Sequence, residues 1–335
     1  MPGGRSLGHR RRQESVRTAD RTAPLSRPAL GLTLALISSA CFGISGVLAR
    51  AMIEAGWTAG ATVTVRIALG GLVLAIPGFL AFRDRRQPLP EQPGRRSWTV
   101  LVAYGLLAVA GCQLAYFYAV TYLQVGVALL IEYTAPVAVL VWMWLRHGQR
   151  PGRVTVLGAA LAIGGLALVL DLTGDVPISA IGVLWALAAM VGAAAYFVIS
   201  ADDRTGWPPL SLAAGGLLIG ALALVVAGLT GILPMTMTTD PVEVGALEVA
   251  WWIPLVLLGV VSAAMAYGFG IAGGRLLGAR VMSFVALSEV LFAVVFAWLV
   301  LDELPAPIQL AGGLLIVLGV VCVRLGEAAP AVSRD

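Results

Sequence analysis

The stretch Val125–Leu145, VGVALLIEYTAPVAVLVWMWL, decides the fold. It contains no basic residue and one acid, Glu132. A helix needs about 17–25 mostly apolar residues to cross a bilayer, and this run supplies them. Nine other stretches of the chain read the same way, giving spans near 30–50, 59–82, 98–120, 124–145, 153–171, 179–200, 208–231, 250–272, 279–300 and 306–325. The composition agrees: 59% of residues are apolar, 12% are charged and the mean hydropathy is +0.92. A soluble domain runs near 45–50% apolar and about 25% charged, and its surface could not hide this excess. The chain is therefore an integral membrane protein. Its 40 glycines suit helices that approach closely in lipid.

Charge placement sets the orientation. The net charge is +4, and no lysine occurs in the chain. With the N-terminus inside, arginines of residues 1–29, of 83–96 and of 146–153, with Arg204, Arg275, Arg280, Arg324 and Arg334, all fall on the cytoplasmic side. Arg50 alone is left outside and Arg66 lies within a span. The positive-inside rule then places both termini in the cytoplasm of a multi-pass inner-membrane protein. It accounts for the basic pI better than nucleic-acid binding does, since no basic cluster is interleaved with aromatics. Residues 1–29 read as a disordered basic segment, 30–171 and 179–325 as two five-helix units, and 326–335 as a cytoplasmic tail. The first span is full length, unlike the core of a cleaved signal peptide, so it reads as a retained helix.

The two units resemble one another. A shift of 151 lays GLTLALISSACFGISG (31–46) over GVLWALAAMVGAAAYF (182–197), and Ala115–Tyr118 over Ala266–Phe269. From the fourth span a shift of 154 pairs Trp144 with Trp298, Gly158 with Gly312 and Gly165 with Gly319. Five spans are an odd number, so the second unit sits upside down relative to the first. Such inverted repeats are a transporter architecture with the binding site near the midplane. The fold expected is an all-α membrane protein of ten transmembrane helices in two inverted five-helix repeats.

Three ionisable residues lie within spans: Arg66, Glu132 and Glu289. Each costs about 2.5–3.5 kcal/mol at a helix centre even on the lenient insertion scale, so function is the default reading and a helix-packing pair the alternative. Pro136 follows Glu132 by four residues and has no N–H for the Glu132 carbonyl. A kink there gathers a carboxylate, a free carbonyl and the hydroxyls of Tyr133 and Thr134, fit for an ammonium group or a proton if the cavity is wet. Glu289 aligns with Ala135, about one turn from Glu132. Arg66 either pairs with a carboxylate or holds the carboxylate of a zwitterion, which a guanidinium matches bidentately. Tyr116 and its repeat mate Tyr267 are candidate cavity walls, as is Tyr133, although helix geometry cannot turn every tyrosine inward. Gly158, Gly165, Gly312 and Gly319 read as close helix packing or a dimer contact. Cys41, Cys112 and Cys322 read as small buried hydrophobes. No Walker A, H-E-x-x-H or G-x-S-x-G motif occurs, and His9 and His147 lie outside the spans, so no cofactor, metal or ATP site is expected.

Leu287-Ser288-Glu289-Val290, Leu301-Asp302-Glu303-Leu304 and Gln309-Leu310-Ala311-Gly312 resemble the L-E-P-V, G-E-x-L and Q-x-x-G pattern of EamA-type transporters in the drug/metabolite transporter superfamily. Val125–Pro136 and Val65–Gly70 are most similar to the threonine/homoserine exporter branch. Val290 departs from the usual Pro, and Gln149 stands where the first repeat often has Glu. The resemblance implies a secondary transporter, not an enzyme, exporting small polar metabolites such as amino acids by alternating access, with protons or a counter-substrate as driving partner. A multidrug or nucleotide-sugar carrier is the nearest alternative; an intramembrane lipid-handling enzyme is the alternative of another class.

Overall fold

The computed structural model of the chain describes residues 27–84, 94–123, 125–170, 179–302 and 304–328. The basic segment before Arg27, Arg85, Arg86, Glu303 and the tail after Ala328 lie outside the described residues. In chain order the helices are α1 Arg27–Glu54, α2 Ala59–Arg83, α3 Arg95–Tyr122, α4 Val125–Glu132, α5 Ala135–His147, α6 Arg153–Val169, α7 Ala180–Ala201, α8 Pro209–Leu229, α9 Trp252–Ala286, α10 Ser288–Leu301 and α11 Pro307–Ala328. Among the described residues eight helical stretches are long and apolar enough to cross a membrane, one of them running through α4 and α5. The apolar helices α6 and α10 are shorter. Large apolar side chains stand outward, with Leu72 61% and Ile76 72% exposed on α2. Water would not tolerate such a surface, whereas lipid requires it.

Local chemistry sets the ends. Thr58 caps α2 by accepting from the Ala61 N–H, and Ser179 caps α7 by accepting from Gly182. Gly148 stops α5 in the left-handed region at φ 67°. Two differences from the sequence reading follow equally local rules. The connector expected near 273–278 is helical up to Gly278, whose φ of 80° and ψ of 160° break α9 at one residue. Glycine alone reaches that region without strain. Arg275 and Arg280 therefore sit on helix rather than in a loop. Arg275 donates to Thr205 Oγ1 and to the Trp207 carbonyl, while Arg280 pairs with Glu327 and donates to the Gln149 carbonyl.

The second difference is a small sheet in an otherwise helical chain. Val242–Val244 (β1) and Leu247–Val249 (β2) pair antiparallel, with Val242 opposite Val249. The alternation Val-Glu-Val and Leu-Glu-Val is the period of a strand, and Gly245 takes the turn at φ 61°. Val242 is fully buried against Met52, Trp57 and Leu255, so the hairpin closes over the end of the bundle where α1, α2 and α9 meet.

Glycine governs the helix contacts. A Cβ added to Gly165 would stand 2.5 Å from the Gly312 carbonyl oxygen, and one added to Gly158 would stand 2.7 Å from that of Gly319. The α6–α11 glycines are thus occupied within the chain, backbone against backbone. On α1, Gly43 lets the helix meet the α10 backbone at the Glu289 carbonyl, 3.0 Å from where its Cβ would be. That approach positions Glu289 beside the molecular centre.

Candidate functional site

α4 and α5 are separated at Tyr133–Thr134, and Pro136 lies in the first turn of α5. Proline is well placed there, because first-turn N–H groups have no intrahelical acceptor anyway. The break leaves Glu132 as the last residue of α4. The Thr134 hydroxyl turns back to the Ile131 carbonyl at 2.6 Å, the same oxygen that accepts the Thr134 N–H. α3 and α9 are loosened differently: each carries a π-helical stretch, Tyr104–Gly111 and Val260–Met265. Such stretches are rare and concentrate at functional sites.

These interrupted helices enclose a cavity of about 120 Å³. A water needs only about 10–15 Å³ of such space and a few polar partners, so the cavity has room for water. Glu132, Tyr133 and Pro136 line it from the α4–α5 break, Glu289 from α10, Tyr267 from α9 and Ser38, Ser39 and Phe42 from α1. Five of the sequence-selected residues therefore stand around one space. Glu132 and Glu289 lie close enough for their charges to act on each other, and Tyr133 stands within electrostatic reach of both. Two selected residues do not line it. Tyr116 packs with Ala119, Leu123 and Ala186, within electrostatic reach of Glu132. Arg66 sits behind the wall, donating to the Ser262 carbonyl at 3.2 Å, with its charge within reach of Glu289.

The sequence reading missed other parts of the wall. Cys112, expected as a small buried hydrophobe, faces the cavity with its thiol 3.5 Å from Glu132 Oε1 and 3.4 Å from the Ala189 carbonyl. Gly192 makes room for it, since a Cβ there would lie 2.7 Å from Cys112 Cβ. Tyr196 and Phe197 complete an aromatic side with Phe42 and Tyr267. Tyr196 meets Tyr267 edge to face at 5.5 Å, and its buried hydroxyl has no protein partner. Ser38 donates to the Ala266 carbonyl at 2.8 Å, where α9 leaves its π-helical stretch. No local pattern announces these residues. Only the meeting of distant helices makes them neighbours.

A larger cavity of about 500 Å³ lies among α1, α2, α8 and α9, but its walls, such as Leu34, Leu74, Leu210 and Phe269, are apolar. It offers no polar side chain to a metabolite. The smaller cavity combines two carboxylates, a thiol and hydroxyls with an aromatic face. That combination suits a cation, a proton or the ammonium end of a small polar molecule.

Comparison with known proteins agrees with the architecture. Residues 29–171 and again 180–325 match the model of the EamA-like transporter family. An uncharacterized protein of Pseudomonas aeruginosa is 28% identical over 195 residues, which cover 56% of this chain and 60% of that protein. The chain thus spans less than two thirds of that relative's length. A protein of known crystal structure superposes with a TM-score of 0.70 at 18% identity, covering 88% of this chain and 96% of its own. At that identity the likeness concerns the fold.

Proposed function

Because the chain belongs to the EamA-like transporter family, and so is a membrane transporter of the drug/metabolite transporter superfamily, we propose that it exports small polar metabolites, such as amino acids, by alternating access. The observation that carries the reading is the meeting of Glu132 and Glu289, from separate helices, in one cavity with room for water. A buried carboxylate in lipid costs about 2.5–3.5 kcal/mol, and two are retained together where a mobile cation or proton compensates them. Glu132 receives the ammonium group of the substrate. Glu289, beside Tyr133 in the cavity wall, exchanges the proton that drives the cycle. A counter-substrate carrying an ammonium group would serve the same carboxylates in exchange.

The ten spans form two five-helix units in this reading, 30–171 and 179–325, inverted about an axis in the membrane plane. Two separate family matches and the paired glycines of α6 and α11 support it. Rocking of one unit against the other then opens the cavity alternately to each side. With the arginine-rich ends inside, both termini face the cytoplasm and the membrane is the inner one. A multidrug carrier is the second reading, favoured by the aromatic side formed by Phe42, Tyr196, Phe197 and Tyr267.

Proteoliposomes loaded with a mixed amino-acid pool under a set pH gradient test the proposal, comparing the native protein with Glu132→Gln. Native exchange that falls at least about tenfold in the variant, a loss of about 1.4 kcal/mol in transition-state binding, is the expected result. Native protein that moves no amino acid but does move aromatic cations transfers the site to the second reading.

A further inference from the structure

Among the enclosed polar atoms without a protein partner are two where α2 meets α9. They are Arg66 Nε and Ser262 Oγ, and Ser262 is 0% exposed. Their residues meet across α2 and α9, because Arg66 Nη2 donates to the Ser262 carbonyl. A buried donor left unpaired is costly, more so when it is charged. A guanidinium has only donors, and a serine hydroxyl supplies another. A carboxylate is the natural match for a guanidinium, and a hydroxyl on the facing helix offers a further donor.

Phe42 links this spot to the cavity. The Arg66 guanidinium carbon lies 5.8 Å from the centroid of Phe42, a cation–π contact. Phe42 lines the cavity and meets Tyr267 edge to face, with centroids 5.2 Å apart and planes at 70°. Tyr267 lines the cavity too, whereas Arg66 and Ser262 do not. Phe42 therefore touches both the Arg66 guanidinium and the cavity, and Tyr267 packs against it there.

We propose that Arg66 and Ser262 form an anion subsite for the carboxylate of the transported molecule, and that Phe42 and Tyr267 are the door between it and the cavity. The assignment rests on the cavity being the transport site. A zwitterion leaves its ammonium group at Glu132 and Glu289 and reaches Arg66 once the rings part. Phe42 belongs to α1 and Tyr267 to α9, so opening the door requires these helices to shift against each other. Occupancy of both ends of the substrate is thereby tied to helix movement. A bare amine has no group to place at Arg66 and does not engage the door.

Charge-selective labelling tests the subsite without knowledge of the substrate. Ser262→Cys is introduced into folded protein carrying Cys41→Ala, Cys112→Ala and Cys322→Ala, and reconstituted. Its reaction rate is measured with an anionic sulfonatoethyl and a cationic trimethylammonioethyl methanethiosulfonate. The anionic reagent is expected to react at least about tenfold faster, since a fixed positive charge a few ångströms away attracts one reagent and repels the other. Arg66→Gln removes the preference, and Phe42→Ala raises both rates while keeping it. Equal rates, a preference that survives Arg66→Gln, or a thiol unreactive even with Phe42→Ala overturns the subsite. Thermal shift on the cysteine-intact chain gives a second measurement, using threonine and 1-aminopropan-2-ol, its analogue without the carboxylate. Ser262→Ala should weaken threonine several-fold and leave the amine unchanged; equal weakening of both overturns the assignment. Protein that binds neither probe but labels with the expected charge preference refutes the amino-acid reading and leaves the anion subsite standing.

Discussion

The α6–α11 contact and the Glu132–Glu289 cavity lie in the same bundle and solve opposite problems. At the contact, glycines remove side chains until carbonyl oxygens and amides of facing backbones nearly touch: Gly158 against Gly319, Gly165 against Gly312. No ionisable group from those faces lies between them. Around the cavity, aromatic rings hold the helices apart, and polar groups stay buried without full partners. Lipid gives no hydrophobic drive for helices to associate, so stability has to come from close packing. The contact supplies it, and the cavity draws on it. Substitutions in the two regions should therefore separate folding from transport.

The largest effect is expected from Gly165→Leu. Even a Cβ would meet the Ile316 amide nitrogen at 2.7 Å, and backbone cannot move aside as a side chain can. Overpacking ordinarily costs about 1–3 kcal/mol, and a larger side chain pressed on a backbone lies at or above that range. Size-exclusion profiles and Tm in detergent should show little folded protein. A monodisperse peak at native Tm would mean that the scaffold lies elsewhere and the contrast is false.

Glu289→Gln is expected to do the reverse. The amide keeps the shape of the side chain and its capacity to accept a hydrogen bond, but it carries no charge. Removing a buried charge from lipid relieves a cost of about 2.5–3.5 kcal/mol, so Tm should hold or rise while gradient-driven transport falls at least about tenfold. If Tm and transport fall together, Glu289 is a structural partner of Arg66 and belongs with the scaffold.

The scaffold was more legible in the sequence than the site. Hydropathy marks the spans because every lipid-facing position must be apolar, and the spacing Gly158, Ala162, Gly165 already describes a close helix face. Glu132 and Glu289 stand out because charge is rare in such segments. Cys112, Phe42, Tyr196 and Ser262 do not, since each is an ordinary membrane-helix residue until distant helices meet. Arg66 stands out by charge, but its placement behind Phe42 depends on the π-helical stretch of α9, which has no composition signal. The Gly278 break hides among neighbouring glycines. The hairpin did have its signal, the alternation from Val242 to Val249, but lay inside a segment first read as a connector.

The smallest effect sharpens the contrast most, because it concerns the neighbour of the most sensitive position. Gly164 sits on the exposed side of α6, and a Cβ there would meet nothing within 4 Å. Gly164→Ala therefore meets no steric obstacle and removes the conformational freedom that glycine loses on entering a helix, worth about 0.5–1 kcal/mol. A small rise in Tm with unchanged transport is expected, against near-complete loss of folded protein at Gly165. Small-residue richness alone cannot produce that difference, since both positions are glycine on one helix. The opposing backbone of α11 produces it. If Gly164→Ala instead lowers Tm, the outward face of α6 packs against another helix and the glycines serve two contacts.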